Sequence, residues 1–388
     1  MKQNQSIYLD NAATTQMDEQ VLEAMMPYLT SYYGNPSSKH SIGWSTRMAV
    51  ELARNRIATL LNVKSKSIIF TSGGTESNNM AIYTALRDFG CDHIITSKVE
   101  HHAVLHSVEH YAEQFKIGVS YVKLDKDGVA DQNDFSRLLE IKTAHDKKCL
   151  VTLMHANNET GNFTEIRWIS SLCKKYNAIF HCDCVQTIGH YPLNLPTEGI
   201  QMASASAHKF HGPKGVGFLY VHEDLQPSAL IYGGGQERGH RAGTENVASI
   251  VGMAEALQLS YKNYSKHREL ISGLKNALAS NLRDAFSSIV INSCGHALYS
   301  VLSVSFPYIE NIEFLLIQLN QKGICVSGGS ACSGGDSSHV MKELGRAGSY
   351  ETIRFSFSKY NTQDEIKSVL EAMKDLLPAL ISQNSNQN

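Results

Sequence analysis

The fold is decided by Ser67-Ile68-Ile69-Phe70-Thr71-Ser72-Gly73-Gly74-Thr75-Glu76, where an apolar strand candidate runs directly into two glycines and the start of a helix. Strands that alternate with helices in this way are typical of α/β folds with a mainly parallel sheet. Free backbone N–H groups at such a helix start form a phosphate cradle, and the hydroxyl of Thr75 adds a donor. A plain packing turn has the same pattern, so this stretch alone leaves both interpretations open.

The alternation of apolar runs with helix-period segments continues through most of the chain. It predicts strands at Ile68–Phe70, His93–Thr96, Val119–Leu124, Leu150–Met154, Ala178–Asp183 and Val216–Val221, and later at Val301–Ser305 and Ile353–Phe357. We therefore expect a large α/β domain over residues 15–257. A smaller α+β domain would comprise residues 1–14 and 258–388.

Composition restricts the class of protein. Of the 388 residues, 42% are hydrophobic and 19% charged, which argues against a disordered or fibrous chain. Lys plus Arg number 35 and Asp plus Glu 37, a formal charge of −2, so we expect neither nucleic acid nor a membrane as partner. No run reaches the roughly 18 apolar residues that span a bilayer, and the polar N-terminus does not resemble a signal peptide. We expect a cytoplasmic protein whose eight cysteines are mostly reduced.

Two charged residues suggest a cofactor. Asp183 ends an apolar strand, where a carboxylate needs a positive partner, and Lys209 follows 26 positions later among small residues and hydroxyls. An Asp for a pyridinium nitrogen and a Lys for a Schiff base are what pyridoxal 5'-phosphate requires from a protein. Together with the glycine turn they fit this one cofactor. The alternative is a solvated loop lysine and a helix-capping aspartate.

The order of the motifs closely resembles that of the cysteine desulfurases, which are class-V aminotransferase-like enzymes that supply sulfur for iron-sulfur clusters and thio-cofactors. The matching stretches run over nearly the whole chain and read Leu9-Asp10-Asn11-Ala12-Ala13-Thr14-Thr15, Gly34-Asn35-Pro36-Ser37-Ser38, Thr71-Ser72-Gly73-Gly74-Thr75-Glu76-Ser77, Glu100-His101, Asn157-Asn158-Glu159-Thr160-Gly161, Asp183-x-x-Gln186, Ser206-Ala207-His208-Lys209, Arg241-Ala242-Gly243-Thr244 and Gly329-Ser330-Ala331-Cys332.

The resemblance implies a fold and a set of roles. The fold is that of the aspartate aminotransferase-like pyridoxal-phosphate enzymes, with a mainly parallel seven-stranded sheet in the large domain. Lys209 would bind the cofactor covalently, Asp183 would keep its ring nitrogen protonated, and His101 would stack on the ring and carry protons. The remaining implied ligands are Gln186 and Asn158 for the ring hydroxyl, Gly74, Thr75, Ser206, His208 and the partner subunit's Thr244 for the phosphate, and Arg354 with Asn35 and Asn158 for the substrate carboxylate. A shared Thr244 implies a homodimer.

Cys332 is the implied nucleophile. It lies in Ser327-Gly328-Gly329-Ser330-Ala331-Cys332-Ser333-Gly334-Gly335, a glycine-rich segment unlike the surroundings of a buried, packing cysteine. Its thiolate would attack the sulfur of L-cysteine, leaving alanine and a persulfide on the enzyme. The resemblance also allows a transient iron-sulfur cluster on Cys332, and we expect no other metal.

The sequence departs from the family pattern after Cys332, where Ser333–His339 is about two residues shorter than in better-known members. We also expect no C-terminal extension of the kind through which some relatives grip a cluster scaffold, so the sulfur acceptor stays open. Two other functions compete with a cysteine desulfurase. One is a selenocysteine lyase or another carbon-sulfur lyase on the same scaffold, and the other is a dimeric partner protein without turnover, against which the intact Lys209, Asp183, His101 and Arg354 argue.

Two further clusters have a simpler interpretation. Cys182 and Cys184 flank Asp183 and point to the opposite face of the strand, so we expect them to be buried by packing rather than to bind metal. His102, His106 and His110 recur at every fourth position, which we interpret as a polar helix face because no further zinc ligands can be named.

Overall fold

The structure is a computed structural model that describes residues 6–145, 147–307, 312–328, 338–347 and 350–382. Cys332 and the other residues of 329–337 lie outside the described residues.

The described chain alternates strands and helices over much of its length, with two successive helices at α1–α2 and at α8–α9. The strands are β1 Ile7–Tyr8, β2 Ile68–Thr71, β3 His93–Ser97, β4 Gly118–Val122, β5 Cys149–Thr152, β6 Ile179–Asp183, β7 Met202–Ser206, β8 Gly217–Val221, β9 Val290–Ile291, β10 Val301–Pro307, β11 Ile324–Cys325, β12 Ser327–Gly328 and β13 Tyr350–Ser356. The α-helices are α1 Glu19–Thr30, α2 Ser41–Leu60, α3 Gly74–Arg87, α4 His102–Phe115, α5 Gln132–Ala144, α6 Ile166–Lys175, α7 Leu195–Glu198, α8 Val247–Lys262, α9 Tyr264–Ala285, α10 Ile312–Gln321, α11 His339–Glu343 and α12 Gln363–Ser382. None of these helices combines the length and the apolar composition that crossing a bilayer requires.

A seven-stranded sheet organises the large part of the fold, in the order β2-β8-β7-β6-β5-β3-β4. The strands from β7 to β4 are parallel to their neighbours, and only β8 runs antiparallel to β7 and β2. The predicted α/β class with a mainly parallel seven-stranded sheet is therefore confirmed. Sequence periodicity missed one of its strands, β7, because its Met-Ala-Ser-Ala-Ser sequence contains little apolar bulk.

Strand β6 shows how the two faces of this sheet are used. Phe180 and Cys182 belong to the core that α2, α6 and α8 cover, whereas Ile179 packs in a second core with α3 and α4. Because side chains alternate along a strand, Asp183 falls on the face of Ile179, the same face that α3 covers. Parallel strands also bring their carboxyl ends to one edge, which places Asp183 close to the residues that follow β7.

A second sheet, β12-β13-β10-β9, lies against α9, α10 and α12, with its own apolar core. The first described residues join this part of the chain, because β1 pairs in parallel with β11. The backbone N–H of Ser356 then donates to Leu9 (2.7 Å), and that of Asn11 donates back to Ser356 (3.3 Å). This N-terminal stretch thereby passes between the two sheets.

A buried ion pair fixes the segment that follows the seven-stranded sheet. Arg54 on α2 donates to both carboxylate oxygens of Glu237 at 2.7 and 2.9 Å, and both side chains are 3% exposed. Glu237 also accepts from the backbone N–H of Phe70 on β2 (2.9 Å) and has left-handed backbone angles (φ 47°). The pair therefore joins α2, β2 and the turn at 236–239.

Replacing Arg54 with Met would leave Glu237 as a buried carboxylate without its cation. We expect this variant to lose about 3–5 kcal/mol in the free energy of unfolding, because removing one partner of a buried pair leaves an uncompensated buried charge. Urea denaturation measures the loss. Lys367→Met, which breaks the exposed pair between Lys367 and Asp364 on α12, is the control and should leave the unfolding midpoint unchanged. Equal midpoints for both variants would contradict this account.

Candidate active site

A cavity of about 340 Å³ lies where the carboxyl ends of β6 and β7 meet the start of α3. Its lining combines cationic, carboxylate, imidazole and amide side chains. The lining residues are Asp10, Ala12, Ala13, Gly74, Thr75, Asn78, His101, Ala103, Met154, Ala156, Asn158, Asp183, Val185, Gln186, Ser206, His208, Lys209 and Arg354. Ten of the residues singled out in the sequence are among them, so distant motifs converge on one space.

Asp183 is buried at the end of β6, and its carboxylate is held by two donors. The Asn78 side chain on α3 donates to Oδ2 (2.7 Å), and the backbone N–H of Val185 donates to Oδ1 (2.9 Å). Such bonds offset part of the cost of removing the charge from water. They also fix the direction in which the carboxylate faces the cavity.

Lys209 follows β7 through a short 3-10 turn at Ala207–Lys209. Its ammonium group donates to the carbonyl oxygens of Ala12 (2.7 Å) and Ala13 (2.8 Å) in the N-terminal segment. Those two carbonyls orient the amino group toward the cavity that Asp183 also faces. The predicted pair of Asp183 and Lys209 is thus brought together, although 26 positions separate them in the chain.

His101 caps the N-terminus of α4, where Nδ1 of its ring accepts from the backbone N–H of Ala103 (3.1 Å). Burial lowers the pKa of His101, and the positive charge of Lys209 acts in the same direction against the opposing field of Asp183. The ring is therefore neutral near pH 7, with Nε2 carrying the proton when Nδ1 is the acceptor. A neutral imidazole is able both to stack on a planar group and to exchange a proton.

The part of the cavity at the start of α3 suits a phosphate. Gly73 has φ +151° and ψ −174°, a region open essentially to glycine, and no side chain within the described ranges caps the helix that begins at Gly74. A Cβ added to Gly74 would lie 2.7 Å from Cγ2 of Val185, so the backbone must approach closely here. Ser206 lies beside this turn, with its Oγ 3.5 Å from the position of a Cβ built on Gly73. His208 also lines the cavity, and burial lowers its pKa to about 4. This part of the cavity therefore combines a helix N-terminus with neutral hydrogen-bonding side chains.

Arg354 on β13 is buried, although it carries a charge. Its Nη1 donates to the carbonyl of Asn158 (2.9 Å), and its Nη2 donates to Asp10 (2.8 Å). Nε is buried and has no hydrogen-bond partner among the described residues. A guanidinium with remaining donor capacity at a cavity wall fits the planar, two-oxygen geometry of a carboxylate.

The remaining predicted residues divide into two groups. Gln186 lines the cavity and donates to the carbonyl of Ala12 (3.1 Å), while Asn158 lines it from a turn after β5. Asn35 and Thr244 are exposed and lie outside the cavity of the single chain. Cys332 lies outside the described residues.

Sequence reasoning missed Asn78, which is the side-chain donor to Asp183, and the carbonyls of Ala12 and Ala13, which accept from Lys209. It also missed Asp10 as the partner of Arg354. Asn78 lies one helical turn after Gly74, so it could have been inferred from the face of α3 that follows the phosphate turn. The contacts of residues 10–13 had no comparable signal, since their partners are about 170 to 340 positions away.

The two minor clusters also have defined surroundings. Cys182 and Cys184 are buried in the core on the sheet face opposite Asp183. The rings of His102 and His106 lie 4.8 Å apart, and the ring of His339 lies 4.5 Å from that of His102. His110 instead contacts Tyr111 edge to face, with 5.1 Å between the ring centroids.

Comparison with known proteins gives this fold and site a family. The model for the family described as Aminotransferase class-V matches residues 7–369, and the chain belongs to this family. It is 41% identical over 382 residues to the cysteine desulfurase IscS of Dictyoglomus turgidum, covering 96% of this chain and 95% of that protein. Among solved structures it is similar to a NifS-like protein, with a TM-score of 0.89, 36% identity, and coverage of 97% of this chain and 100% of the other. It is also similar to SspA in complex with cysteine, with a TM-score of 0.76, 29% identity, and coverage of 92% and 100%. The resemblance read from the order of the motifs is thereby confirmed.

Removing the donor to Asp183 should destabilise the fold. Asn78→Ala leaves Oδ2 of a buried carboxylate without its side-chain partner, and we expect a loss of about 1–3 kcal/mol in the free energy of unfolding. Urea denaturation followed by circular dichroism measures it. Asn281→Ala on the exposed face of α9 is the control and should change stability by less than about 0.5 kcal/mol. An Asn78→Ala protein as stable as the parent would show that Asp183 does not depend on this bond.

Proposed function

We propose that this protein is a pyridoxal-phosphate-dependent cysteine desulfurase that converts L-cysteine to L-alanine and passes the sulfur through a persulfide on Cys332. The observation that supports this most directly is the convergence of Lys209, Asp183, His101 and Arg354 on one cavity. Relatives that match nearly the whole chain bear the name cysteine desulfurase. The function of the class therefore agrees with the chemistry of the side chains present.

The cavity fits pyridoxal 5'-phosphate at both ends. The uncapped start of α3 and the close approach at Gly74 leave backbone donors for a phosphate, to which Thr75, Ser206 and His208 would contribute side chains. At the other end Asp183 would hold the ring nitrogen, and Lys209 would bind the cofactor covalently. Gln186 and Asn158 would contact the ring hydroxyl. When bound, the cofactor supplies an electron-withdrawing ring that stabilises negative charge on the substrate carbon.

The protein's own groups have separable tasks in this proposal. Arg354 binds the substrate carboxylate, with Asp10 and the carbonyl of Asn158 holding the guanidinium in place. Lys209 or His101 takes the proton from the α-carbon, and the neutral ring of His101 is suited to accept or return it near pH 7. Asn35 would assist at the carboxylate from its exposed turn.

The sulfur step balances without an external oxidant. The Cys332 thiolate attacks the sulfur of L-cysteine, so an S–S bond forms as the C–S bond breaks. The sulfur is oxidised and the carbon is reduced, with a proton completing the methyl group of alanine. An added thiol then reduces the persulfide and releases sulfide. In the cell the proposed recipient is an acceptor or scaffold protein for iron-sulfur cluster or thio-cofactor assembly, and we place this reaction in the cytoplasm.

A homodimer is part of the proposal, and the surface of α1 and α2 supports it. Leu22, Met26 and Leu29 on α1 are 42–57% exposed, and the large apolar residues Trp44, Met48 and Leu52 on α2 are about 60% exposed. Apolar side chains clustered in this way on a soluble protein indicate an interface. A second copy would cover them.

The segment that carries Thr244 is anchored to this chain and leaves Thr244 exposed, as the proposed dimer requires. Arg241 pairs with Glu76 in the first turn of α3, while Thr244 itself is exposed. A Thr244 donated to the partner subunit's phosphate site would thus be held from this chain's own phosphate cradle.

Replacing Cys332 with Ala tests the reaction. With L-cysteine and a reductant, the parent should release alanine and sulfide in equal amounts, whereas Cys332→Ala should keep the absorbance of its bound cofactor and release neither. Both products and the cofactor absorbance are measured in the same sample. Cys325→Ala, which changes a half-buried thiol on β11, is the matched control and should behave as the parent.

A Cys332→Ala enzyme that makes sulfide at the parent rate would contradict the persulfide step. A selenocysteine lyase or another carbon-sulfur lyase would then be the better conclusion.

Charges placed on the exposed face of α2 test the dimer. Met48→Glu combined with Leu52→Glu should give a monomer in sedimentation velocity, because two carboxylates would be buried at the proposed interface. We also expect weaker cofactor binding, since the partner's Thr244 is lost from each phosphate site. Leu270→Glu on the exposed face of α9 is the control. A monomeric parent, or a double variant that stays dimeric, would exclude this interface.

A further inference from the structure

Glu159 is a half-buried carboxylate that the proposed reaction does not use. It lies in the turn Asn157–Thr160 after β5, where the side chain of Asn157 accepts from the backbone N–H groups of Glu159 (2.8 Å) and Thr160 (3.0 Å). The Asn157 side chain in turn donates to the carbonyl of Val99 (2.9 Å). The turn is therefore fixed on both sides, and the direction of the Glu159 side chain is fixed with it.

The carboxylate contacts one residue across a large sequence distance. Ser338 donates its hydroxyl to Oε2 of Glu159 at 2.5 Å, in the short range typical of hydroxyl–carboxylate bonds. Ser338 is 5% exposed and also caps α11, because its Oγ accepts from the backbone N–H of Met341 (3.1 Å). Val340 and Met341 then pack against Val99. The contact thus holds the beginning of α11 against the turn that contains Glu159.

Ser338 lies close to Cys332 in the chain, which relates this contact to the proposed nucleophile. Ser338 is the first described residue after 329–337, and Cys332 lies six positions before it. On the other side, β12 ends at Gly328 and pairs with β13, with Ser327 opposite Arg354. Arg354 donates to the carbonyl of Asn158, the neighbour of Glu159. Both chain ends that bracket Cys332 are therefore attached to elements that hold Arg354.

We propose that Glu159 is a positioning residue for the sulfur-transfer step, because its bond holds Ser338, six positions after Cys332, beside the turn that contacts Arg354. This inference rests on the proposed function. Sulfur transfer requires the Cys332 thiolate and the substrate sulfur to meet at one distance and angle, and small displacements of a reacting group are costly in rate. Glu159 touches neither substrate nor cofactor in this role.

The environment of Glu159 makes the contact sensitive to pH. Burial raises the pKa of Glu159 to about 7, while the bond from Ser338 and the positive charge of Arg354 act to lower it. Below pH 7 the protonated carboxyl loses its negative charge as acceptor, so the contact weakens, and it strengthens as the pH rises above 7. Other ionisable groups near this contact are Asp10, which pairs with Arg354, and His339, whose Nε2 lies 2.9 Å from the carbonyl of Glu100. The ring of His102 lies 4.5 Å from that of His339, and burial raises the pKa of Glu100 well above its usual value.

The test compares Glu159→Ala, Glu159→Gln, Ser338→Ala and the double variant Glu159→Ala/Ser338→Ala in the holoenzyme. Ser338→Thr keeps the hydroxyl, and Glu165→Ala removes an exposed carboxylate six positions from Glu159, so both are matched controls. Single-turnover alanine formation from L-cysteine is measured by rapid quench. The change in cofactor absorbance on mixing gives the dissociation constant for L-cysteine separately.

We expect Glu159→Ala and Ser338→Ala each to slow alanine formation about tenfold, and the double variant to be no slower than the slower single variant, because both remove one bond. Ser338→Ala should keep the dissociation constant for L-cysteine within about twofold of the parent, since Ser338 makes no contact with Arg354 among the described residues. The parent rate should rise between about pH 6 and 8. Ionisation of Cys332 raises the rate of the parent and of Glu159→Gln alike, so the ratio of the parent rate to the Glu159→Gln rate isolates Glu159 and should rise over the same range. The two controls should match the parent.

Three results would overturn the inference: parent rates in both single variants, effects that multiply in the double variant, or a ratio of the parent rate to the Glu159→Gln rate that does not change with pH. If Glu159→Ala does not fold, Ser338→Ala and Glu159→Gln decide the question alone. A parent enzyme that forms no alanine in a Cys332-dependent way would instead refute the proposed function, and this inference with it.

Discussion

Asp183 places a carboxylate inside the protein, where an unpaired charge would cost several kcal/mol. The surrounding structure meets that cost with specific donors. Asn78 from α3 and the backbone N–H of Val185 bind its two oxygens, and the cationic side chain of Lys209 lines the same cavity. These groups come from α3, from the chain directly after β6 and from the chain after β7. The Asp183 carboxylate is therefore stabilised only when these three parts of the fold are correctly placed around it.

Burial on both faces of the sheet explains which strands the sequence could predict. Apolar runs such as Ile68–Thr71 and Ile179–Asp183 are buried on both faces, and this burial is what makes them visible as strands. Strand β7 is buried too, but its alternating Ala and Ser fill a tight space rather than supply apolar area. These small residues are instead noticeable in the sequence as neighbours of Lys209. They are its neighbours in the structure too, because Lys209 follows shortly after β7.

The sequence predicted the main side chains of the site, but it did not predict the hydrogen bonds that hold those side chains in place. Asp183, Lys209, His101 and Arg354 were found because their chemistry and the order of their motifs are distinctive, and all four line the cavity. The bond from Asn78 and the pair of Arg354 with Asp10 depend on tertiary distances that no local spacing contains. Three expectations stay predictions. The role of Thr244 concerns a second subunit, and Cys332 lies outside the described ranges. The domain boundary near residue 257 falls within the single helix α8.

The N-terminal strand and the residues after it carry a consequence for how the enzyme is made. Asp10, Ala12 and Ala13 contact Arg354 and Lys209, and Ser356 holds Leu9 and Asn11 from the far end of the chain. The ribosome therefore synthesises residues 9–13 early, and it synthesises Arg354 and Ser356, which bind several of them, near the end of translation. Ala12 and Ala13 can accept from Lys209 as soon as that lysine has been synthesised, whereas Leu9, Asp10 and Asn11 would lack their partners until Arg354 and Ser356 follow. A polypeptide terminated before residue 354 would therefore lack the contacts that hold Asp10 at the cavity.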